Sequence, residues 1–219
     1  MSKPSLIFDL DGTLIDSAAD IHVAVNTVMR HEGLPDLSAT QVRSFVGNGA
    51  EVLLERCLRA NGQPGTGPQH TRLYRYFIEV YETAHDLTTV YPGVIAALDA
   101  LSAHPLGICT NKPYSPTISV LAHLRLEGRF RCVVGGDTLP RRKPDPAPLL
   151  ETIARMGGGP AIFIGDSEVD AETAARAGID FFLYTEGYRK AAPETLGAKA
   201  MFSDWRDLPG LVAAAASAV

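Results

Sequence analysis

Two aspartates two positions apart, Asp9 and Asp11, stand in the segment Asp-Leu-Asp-Gly-Thr, which follows a short apolar run. Alternate residues of an extended strand point to the same side, so we expect the two carboxylates to share one face. Neighbouring carboxylates repel each other unless a cation or a proton lies between them. The pair could therefore hold Mg²⁺, which prefers oxygen ligands, or act as nucleophile and general acid. A solvated acidic turn that closes the strand is the alternative.

Three other polar segments also follow apolar runs. Thr110 and Asn111 carry a hydroxyl and an amide that could bind phosphate oxygens, although this pair is also common in turns. Lys143 could pair with a phosphate and with a nucleophilic carboxylate, or lie in an exposed basic loop. Asp166 and Asp170 are four residues apart and fall on one side of a helical turn. Asp166 could instead cap that helix.

The elements that must position these residues are strands that alternate with helices. Apolar runs predict strands at 5–9, 106–110, 132–135, 161–165 and 179–184, with helical patterns at 94–103, 116–124, 146–156 and 168–177. This alternation predicts an α/β fold with right-handed crossovers and a parallel sheet covered on both faces. The polar segments stand at the carboxyl ends of strands, where open α/β sheets bind their ligands.

The first strand is followed by a long helical insertion. From about residue 16 to residue 86 the pattern is helical throughout, with the spacing of a capping box at Ser38 and Gln41. We expect a helical cap domain at 16–86 that could move over the site, and a core domain built from 1–15 and 87–219.

Composition narrows the function classes. The net charge is -5 and no basic stripe is present, which argues against a nucleic-acid partner. No apolar run is long enough to cross a bilayer and no secretory signal is visible, so a cytoplasmic protein is expected. Cys57, Cys109 and Cys132 lack metal-site spacing and are predicted to be buried free thiols.

Taken in order, Asp-x-Asp-Gly-Thr, Thr-Asn, Lys-Pro and Gly-Asp-x-x-x-Asp resemble the motifs of the haloacid dehalogenase-like superfamily, and the resemblance covers essentially the whole chain. It implies a Rossmann-like parallel-sheet core, a cap that gates the site, a Mg²⁺ cofactor and hydrolysis of phosphomonoesters. Asp9 would attack phosphorus, and Asp11 would protonate the leaving alcohol and then activate water. The metal would be held by Asp9, the backbone carbonyl of Asp11 and Asp166, with Asp170 supporting.

The resemblance also implies a binding site for the transferring phosphoryl group. Thr110 and Lys143 would bind it, and Asn111 would help to position it. A phosphate dianion repels a carboxylate nucleophile, so the metal and Lys143 would make attack feasible by neutralising that charge.

Two branches of the superfamily fit poorly. Dehalogenases attack carbon and do not carry an aspartate at the position of Asp11. Phosphonatases use a cap lysine, and residues 16–86 contain no lysine. A non-catalytic binding protein on the same scaffold would be expected to have lost Asp9, Asp11, Lys143 or Asp166, all of which are present.

Several stretches resemble phosphoglycolate phosphatases in particular: 16–21, 46–49, 134–138, 175–179 and 187–188. The loop at Gly47 and Asn48 would bring bare backbone amides near a small carboxylate, although it could be a flexible interhelix loop. Arg43 is a candidate carboxylate clamp from the cap, with a solvated helix face as the alternative.

The expected reaction is hydrolysis of 2-phosphoglycolate, a small phosphorylated metabolite, to glycolate and phosphate. The alternatives are a phosphatase for another small phosphomonoester, such as a sugar phosphate or a nucleoside monophosphate, and a β-phosphoglucomutase-like phosphotransferase. The sequence is compatible with a monomer or a homodimer, and with Mg²⁺ or Mn²⁺ as the preferred ion.

Overall fold

The computed structural model describes residues 3–217. Residues 1, 2, 218 and 219, at the ends of the predicted core ranges, lie outside the described residues. The strands are β1 (Ser5–Phe8), β2 (Ile15–Asp16), β3 (Thr89–Val90), β4 (Leu106–Cys109), β5 (Cys132–Val134), β6 (Ala161–Gly165), β7 (Asp180–Tyr184) and β8 (Ala200–Phe202). The helices are α1 (Ala18–His31), α2 (Ala39–Phe45), α3 (Ala50–Ala60), α4 (Pro68–Glu82), α5 (Val94–Ala100), α6 (Tyr114–His123), α7 (Ala147–Arg155), α8 (Glu168–Ala177) and α9 (Leu208–Ser217).

Six strands form one parallel sheet in the order β5-β4-β1-β6-β7-β8, which confirms the predicted α/β class. Strand β1 lies between β4 and β6, and Phe8 is in register with both Ile108 and Ile164. The carboxyl ends of these three strands are therefore level. The polar residues that follow them must emerge at the same edge of the sheet.

Both faces of the sheet are buried. Leu6 and Phe8 of β1 belong to a hydrophobic cluster with residues of α5, α6 and α9. Ile7, between them in sequence, belongs to a second cluster with residues of α7 and α8. Because a strand covered on both faces needs apolar residues at every position, β1 reads as a continuous apolar run.

Helices α1 to α4 enclose a hydrophobic cluster of their own, with Leu54, Leu73 and Phe77 fully buried. The predicted capping box is confirmed at the start of α2, since Ser38 Oγ accepts from the backbone N–H of Gln41 while Gln41 Oε1 accepts from that of Ser38. These four helices, which we call the cap, all lie within the predicted range 16–86.

The prediction of a helical pattern from residue 16 onward was wrong at its start. Asp16 lies in β2, which pairs antiparallel with β3 through Ile15–Val90 and Asp16–Thr89. The two chain segments that enter and leave the cap are thus joined to each other. Strands of two residues are too short to produce a recognisable alternation, and the partner lies far along the chain.

The edge strand β8 was also absent from the prediction. It has three residues and pairs with β7. Cys57, Cys109 and Cys132 are buried and free, as predicted. Across residues 3–217, every helix is too short or too polar to span a membrane.

Candidate active site

The four polar segments meet at the carboxyl edge of the sheet. Asp9 follows β1, Thr110 follows β4 and Asp166 follows β6, while Lys143 comes from the loop between β5 and α7. All four side chains are buried. The convergence of Asp9, Thr110 and Asp166 follows from the level ends of the three central strands.

Lys143 lies between two carboxylates. Its Nζ donates to Asp170 Oδ1 at 2.6 Å and lies 2.9 Å from Asp9 Oδ1. The contact with Asp9 is an ion pair outside hydrogen-bond geometry, because Asp9 Oδ1 is buried without a hydrogen-bond partner. Burial alone would lower the pKa of Lys143, but Asp170 and Asp9 together raise it above its usual value. Lys143 therefore stays charged beside Asp9.

Asp170 uses both of its oxygens within the protein. Oδ1 receives Lys143, and Oδ2 accepts from Asp166 N, Ser167 N and Ser167 Oγ. Ser167, and not Asp166, is the N-cap of α8, with Asp170 completing a capping box. Asp170 thus holds Lys143 and the start of α8 in place.

Asp166 is held at its two oxygens by distant parts of the chain. Oδ1 accepts from Thr13 Oγ1 at 2.8 Å, and Oδ2 accepts from the backbone N–H of Tyr188 at 2.6 Å. A Cβ at Gly187 would collide with the Asp166 side chain. Gly12, at φ +87°, would bring a Cβ equally close to it. Both glycines are needed for the backbone to approach this carboxylate.

Asp9, Asp166 and Asp170 form an acidic cluster whose candidate ligand atoms all lie within 4.8 Å of one another. Burial raises the pKa of Asp9 to about 6, although Lys143 opposes this, and Asp170 adds to it. Burial, Asp170 and Asp9 raise the pKa of Asp166 well above its usual value. Three buried carboxylates share one ammonium, so a cation would relieve the excess negative charge. Asp9 Oδ1 accepts no hydrogen bond, and this free acceptor together with an all-oxygen donor set fits a hard divalent ion.

Asp11 lies at the edge of this cluster and is less buried. Its Oδ1 accepts from Ser17 Oγ at 2.5 Å and lies 3.3 Å from Lys112 Nζ. The hydrogen bonds that the structure records to the Asp11 side chain all go to Oδ1. The carboxyl is thus oriented through one oxygen, and the other is left for a reacting group.

Asn111 connects three loops. Its Nδ2 donates to the carbonyls of Gly47 and Lys143, each at 3.0 Å. The amide thus joins the cap loop to the two core loops that carry Thr110 and Lys143. Gly49, at φ +87°, approaches closely enough that a Cβ would lie 3.2 Å from the Asn111 carbonyl.

A cleft with a volume of about 40 Å³ lies between the cap and the core. Its lining includes Asp9, Asp11 and Lys112 from the core and Gly47, Leu53 and Tyr81 from the cap. Asp9 and Asp11 also line a second opening, together with Asn48 and Asp166. The nucleophile candidate is therefore reached through a narrow, mostly covered space.

Arg43 is not among the residues that line this cleft. Its guanidinium lies 4.7 Å from the centroid of the Tyr188 ring and donates to the Gly187 carbonyl at 3.3 Å. The Asn48 side chain accepts from Arg56 at 2.8 Å. In this arrangement Gly47 faces the cleft, while Arg43 contacts the loop that supports Asp166.

The family model for haloacid dehalogenase-like hydrolases matches residues 6–184. The chain belongs to this family. A phosphoglycolate phosphatase from Rhodobacter capsulatus is 46% identical over 211 residues, covering 95% of this chain and 96% of that protein. One from Rhodospirillum rubrum is 38% identical, with 93% of this chain and 88% of that protein covered.

A solved structure described as a "predicted phosphoglycolate phosphatase" from Haemophilus somnus is similar throughout. It matches with a TM-score of 0.88 at 30% identity, covering 96% of this chain and 97% of that one. Together with the sequence relatives, it supports a phosphoric monoester hydrolase within the haloacid dehalogenase-like family.

Three residues of this hydrolase's site were missed from the sequence. Lys112 directly follows Thr110 and Asn111 at a strand end, which was an available signal. Ser17 and Tyr188 stand in stretches that resemble phosphoglycolate phosphatases, but the sequence predicted no role for either of them. Their contacts are long-range: the Tyr188 hydroxyl donates to Asp16 at 2.7 Å and accepts from the backbone N–H of Ser17.

Proposed function

We propose that this haloacid dehalogenase-like hydrolase converts 2-phosphoglycolate to glycolate and phosphate through an aspartyl-phosphate on Asp9, with Mg²⁺ as cofactor. The observation that carries the proposal is the position of Asp9. Its buried carboxylate lines the cleft, lies 2.9 Å from Lys143 Nζ and belongs to a three-carboxylate cluster. A carboxylate beside a fixed positive charge can attack a phosphate dianion.

In the first half-reaction, an Asp9 oxygen forms a bond to phosphorus as the bond between phosphorus and the ester oxygen breaks. Asp11 gives its proton to that oxygen, and glycolate leaves. Lys143, kept charged by Asp170 and Asp9, neutralises negative charge on the phosphoryl group. Thr110, which directly follows β4 and lines the cleft, would donate its hydroxyl to the same group.

In the second half-reaction, Asp11 takes a proton from water as the water oxygen attacks phosphorus, and the bond to Asp9 breaks. Asp11 can serve both steps because Ser17 and Lys112 orient it through Oδ1 alone. Mg²⁺, held by Asp9, Asp166 and the Asp11 carbonyl, would supply Lewis-acid stabilisation of the phosphoryl oxygens. Asp170 is committed to Lys143 and Ser167, so its part is to support these groups.

The proposed substrate rests on two observations. The cleft is narrow and is covered by the cap, which suits a small phosphomonoester. The relatives named above are phosphoglycolate phosphatases at up to 46% identity over nearly the whole chain. We propose a cytoplasmic location, which the buried free thiols of Cys57, Cys109 and Cys132 support.

The test is a phosphate-release screen of the purified protein with Mg²⁺, comparing kcat/KM across 2-phosphoglycolate, sugar phosphates and nucleoside monophosphates. We expect 2-phosphoglycolate to lead by at least about tenfold, which corresponds to about 1.4 kcal/mol of barrier. EDTA should abolish activity and Mg²⁺ should restore it.

A different leading substrate would overturn the phosphoglycolate assignment, and full activity in EDTA would overturn the metal requirement. Transfer of the phosphoryl group to a sugar faster than to water would favour a β-phosphoglucomutase-like phosphotransferase instead.

A further inference from the structure

One cation in the cleft has so far been given only a positioning role, through its contact with Asp11. Lys112 lines the cleft, and its side chain is only 3% exposed. Its Nζ contacts Asp11 Oδ1 at 3.3 Å and donates to Tyr81 Oη. It also lies 3.9 Å from the centroid of the Tyr81 ring. Burying an ammonium group is costly, and among residues 3–217 Asp11 is the one carboxylate recorded within ion-pair distance of it.

Three arginines near the cap–core boundary are directed elsewhere, and Lys190 lines the second opening rather than this cleft. Arg43 contacts Gly187, Arg56 contacts Phe45 and Asn48, and Arg142 pairs with Glu51 at 2.7 Å. Lys112 is the only lysine or arginine that lines this cleft among residues 3–217. Any second negative charge on a substrate in the cleft would meet this ammonium.

The reaction geometry fixes which substrate group comes near Lys112. The leaving oxygen must contact the Asp11 carboxyl to receive its proton, and Lys112 Nζ is 3.3 Å from that carboxyl. A carboxylate carried on the carbon next to the leaving oxygen is two bonds away from it. Such a group reaches Lys112 while the leaving oxygen stays at Asp11.

We propose that Lys112 and the Tyr81 hydroxyl form a carboxylate subsite that selects phosphomonoesters with a carboxylate next to the leaving oxygen. This inference rests on the proposed function and names the residues that would give it specificity. Lys112 belongs to the core and Tyr81 to α4 of the cap, so the subsite is complete only when the cap lies on the core. Substrate selection and cap closure are thereby coupled.

A purely positioning role for Lys112, acting through Asp11, makes a different prediction. Removal of the ammonium would then slow every substrate equally, because all of them need Asp11. A carboxylate subsite instead affects only substrates that carry the carboxylate, and mainly through KM.

The experiment compares Lys112→Met with the wild type on 2-phosphoglycolate and on 2-hydroxyethyl phosphate, in which a neutral alcohol replaces the carboxylate. We expect kcat/KM for 2-phosphoglycolate, divided by kcat/KM for 2-hydroxyethyl phosphate, to be about 10- to 100-fold lower in Lys112→Met than in the wild type. Most of the change should be a higher KM for 2-phosphoglycolate. The inhibition constant of glycolate should rise by a similar factor, and Lys112→Arg should restore part of both. Arg142→Met is the matched control, since it removes a boundary cation outside the cleft, and it should keep the wild-type ratio.

An equal loss on both substrates with an unchanged glycolate inhibition constant would overturn the subsite. Lys112→Gln serves as the second variant if the methionine variant does not fold, as judged by circular dichroism. A wild type that prefers another substrate would overturn the proposed function separately. Glycolate inhibition of the wild type and of the Lys112 variants would still decide whether Lys112 binds carboxylates.

Discussion

The cap and the core differ in whether their buried polar groups are satisfied by contacts within the protein. Within α1 to α4 the buried polar side chains are Asp20 and Asn26, and both are satisfied. Asp20 Oδ2 accepts from Leu87 N and Thr88 Oγ1, and Asn26 exchanges hydrogen bonds with the backbone of Leu37. The buried polar side chains of the cap therefore stabilise the cap itself, through Asn26, and its attachment to the core, through Asp20.

The edge of the core buries three carboxylates beside one ammonium, which leaves an excess of negative charge. Asp9 Oδ1 has no hydrogen-bond partner, and burial raises the pKa values of both Asp9 and Asp166. Such an arrangement costs stability and is maintained where chemistry requires it. The difference between the two regions indicates that the core edge is arranged for a reaction and the cap interior for packing.

The largest expected effect comes from Asp9→Asn, which removes the proposed nucleophile. Phosphate release should fall below detection, because no covalent route remains. Thermal unfolding measured in EDTA should stay unchanged or shift upward, since the charged form of Asp9 is disfavoured by burial. Measurable turnover, or a clear drop in melting temperature, would contradict the assignment of Asp9 to chemistry rather than stability.

Asp170→Asn should be the most destabilising of these changes. It weakens the contact that keeps Lys143 paired and disturbs the cap of α8. Breaking a buried ion pair typically costs about 3–5 kcal/mol, so urea unfolding should show a loss of this order. A loss of less than about 1 kcal/mol in the free energy of unfolding would mean that the core edge tolerates an unbalanced charge. The proposed difference between the buried polar groups of the core and those of the cap would then be weaker.

The pH dependence of stability should carry the signature of Asp9. Its folded pKa of about 6 lies above the usual aspartate value of about 3.9, so the folded state retains the proton to higher pH. In EDTA, the free energy of unfolding of the wild type, taken relative to that of Asp9→Asn, should therefore fall by about 2–3 kcal/mol as the pH rises from about 4 to about 6. Above that range it should level off. Saturating Mg²⁺ should reduce this difference. A pH-independent difference in EDTA would contradict the raised pKa.

The smallest effect is expected in the cap, at an ion pair on its surface. Arg30 Nε donates to Asp36 Oδ1 at 2.9 Å, and the two side chains are 66% and 46% exposed. Solvent screens such pairs, so Asp36→Asn should cost less than about 1 kcal/mol in urea unfolding and leave kcat/KM unchanged. A loss as large as that of Asp170→Asn would remove the distinction between the two regions.

The sequence by itself determined the α/β class, the main strands and the positions of Asp9, Thr110, Lys143 and Asp166 at one sheet edge. These features depend on local patterns: apolar runs, the polar residues directly after them, and the parallel pairing that brings strand ends together. The capping box at Ser38 belongs to the same group, because both of its partners lie within one turn.

Only the tertiary structure decided how those residues are supported. Tyr188 contacts Asp16 across 172 positions of sequence, β2 pairs with β3 across the whole cap, and Lys112 meets Tyr81 from a helix of that cap. Asp166 does not cap α8, because Ser167 and Asp170 form the capping box of that helix. Such contacts are set by how distant elements pack, and no local pattern of residue types encodes which distant side chain will fill a given space.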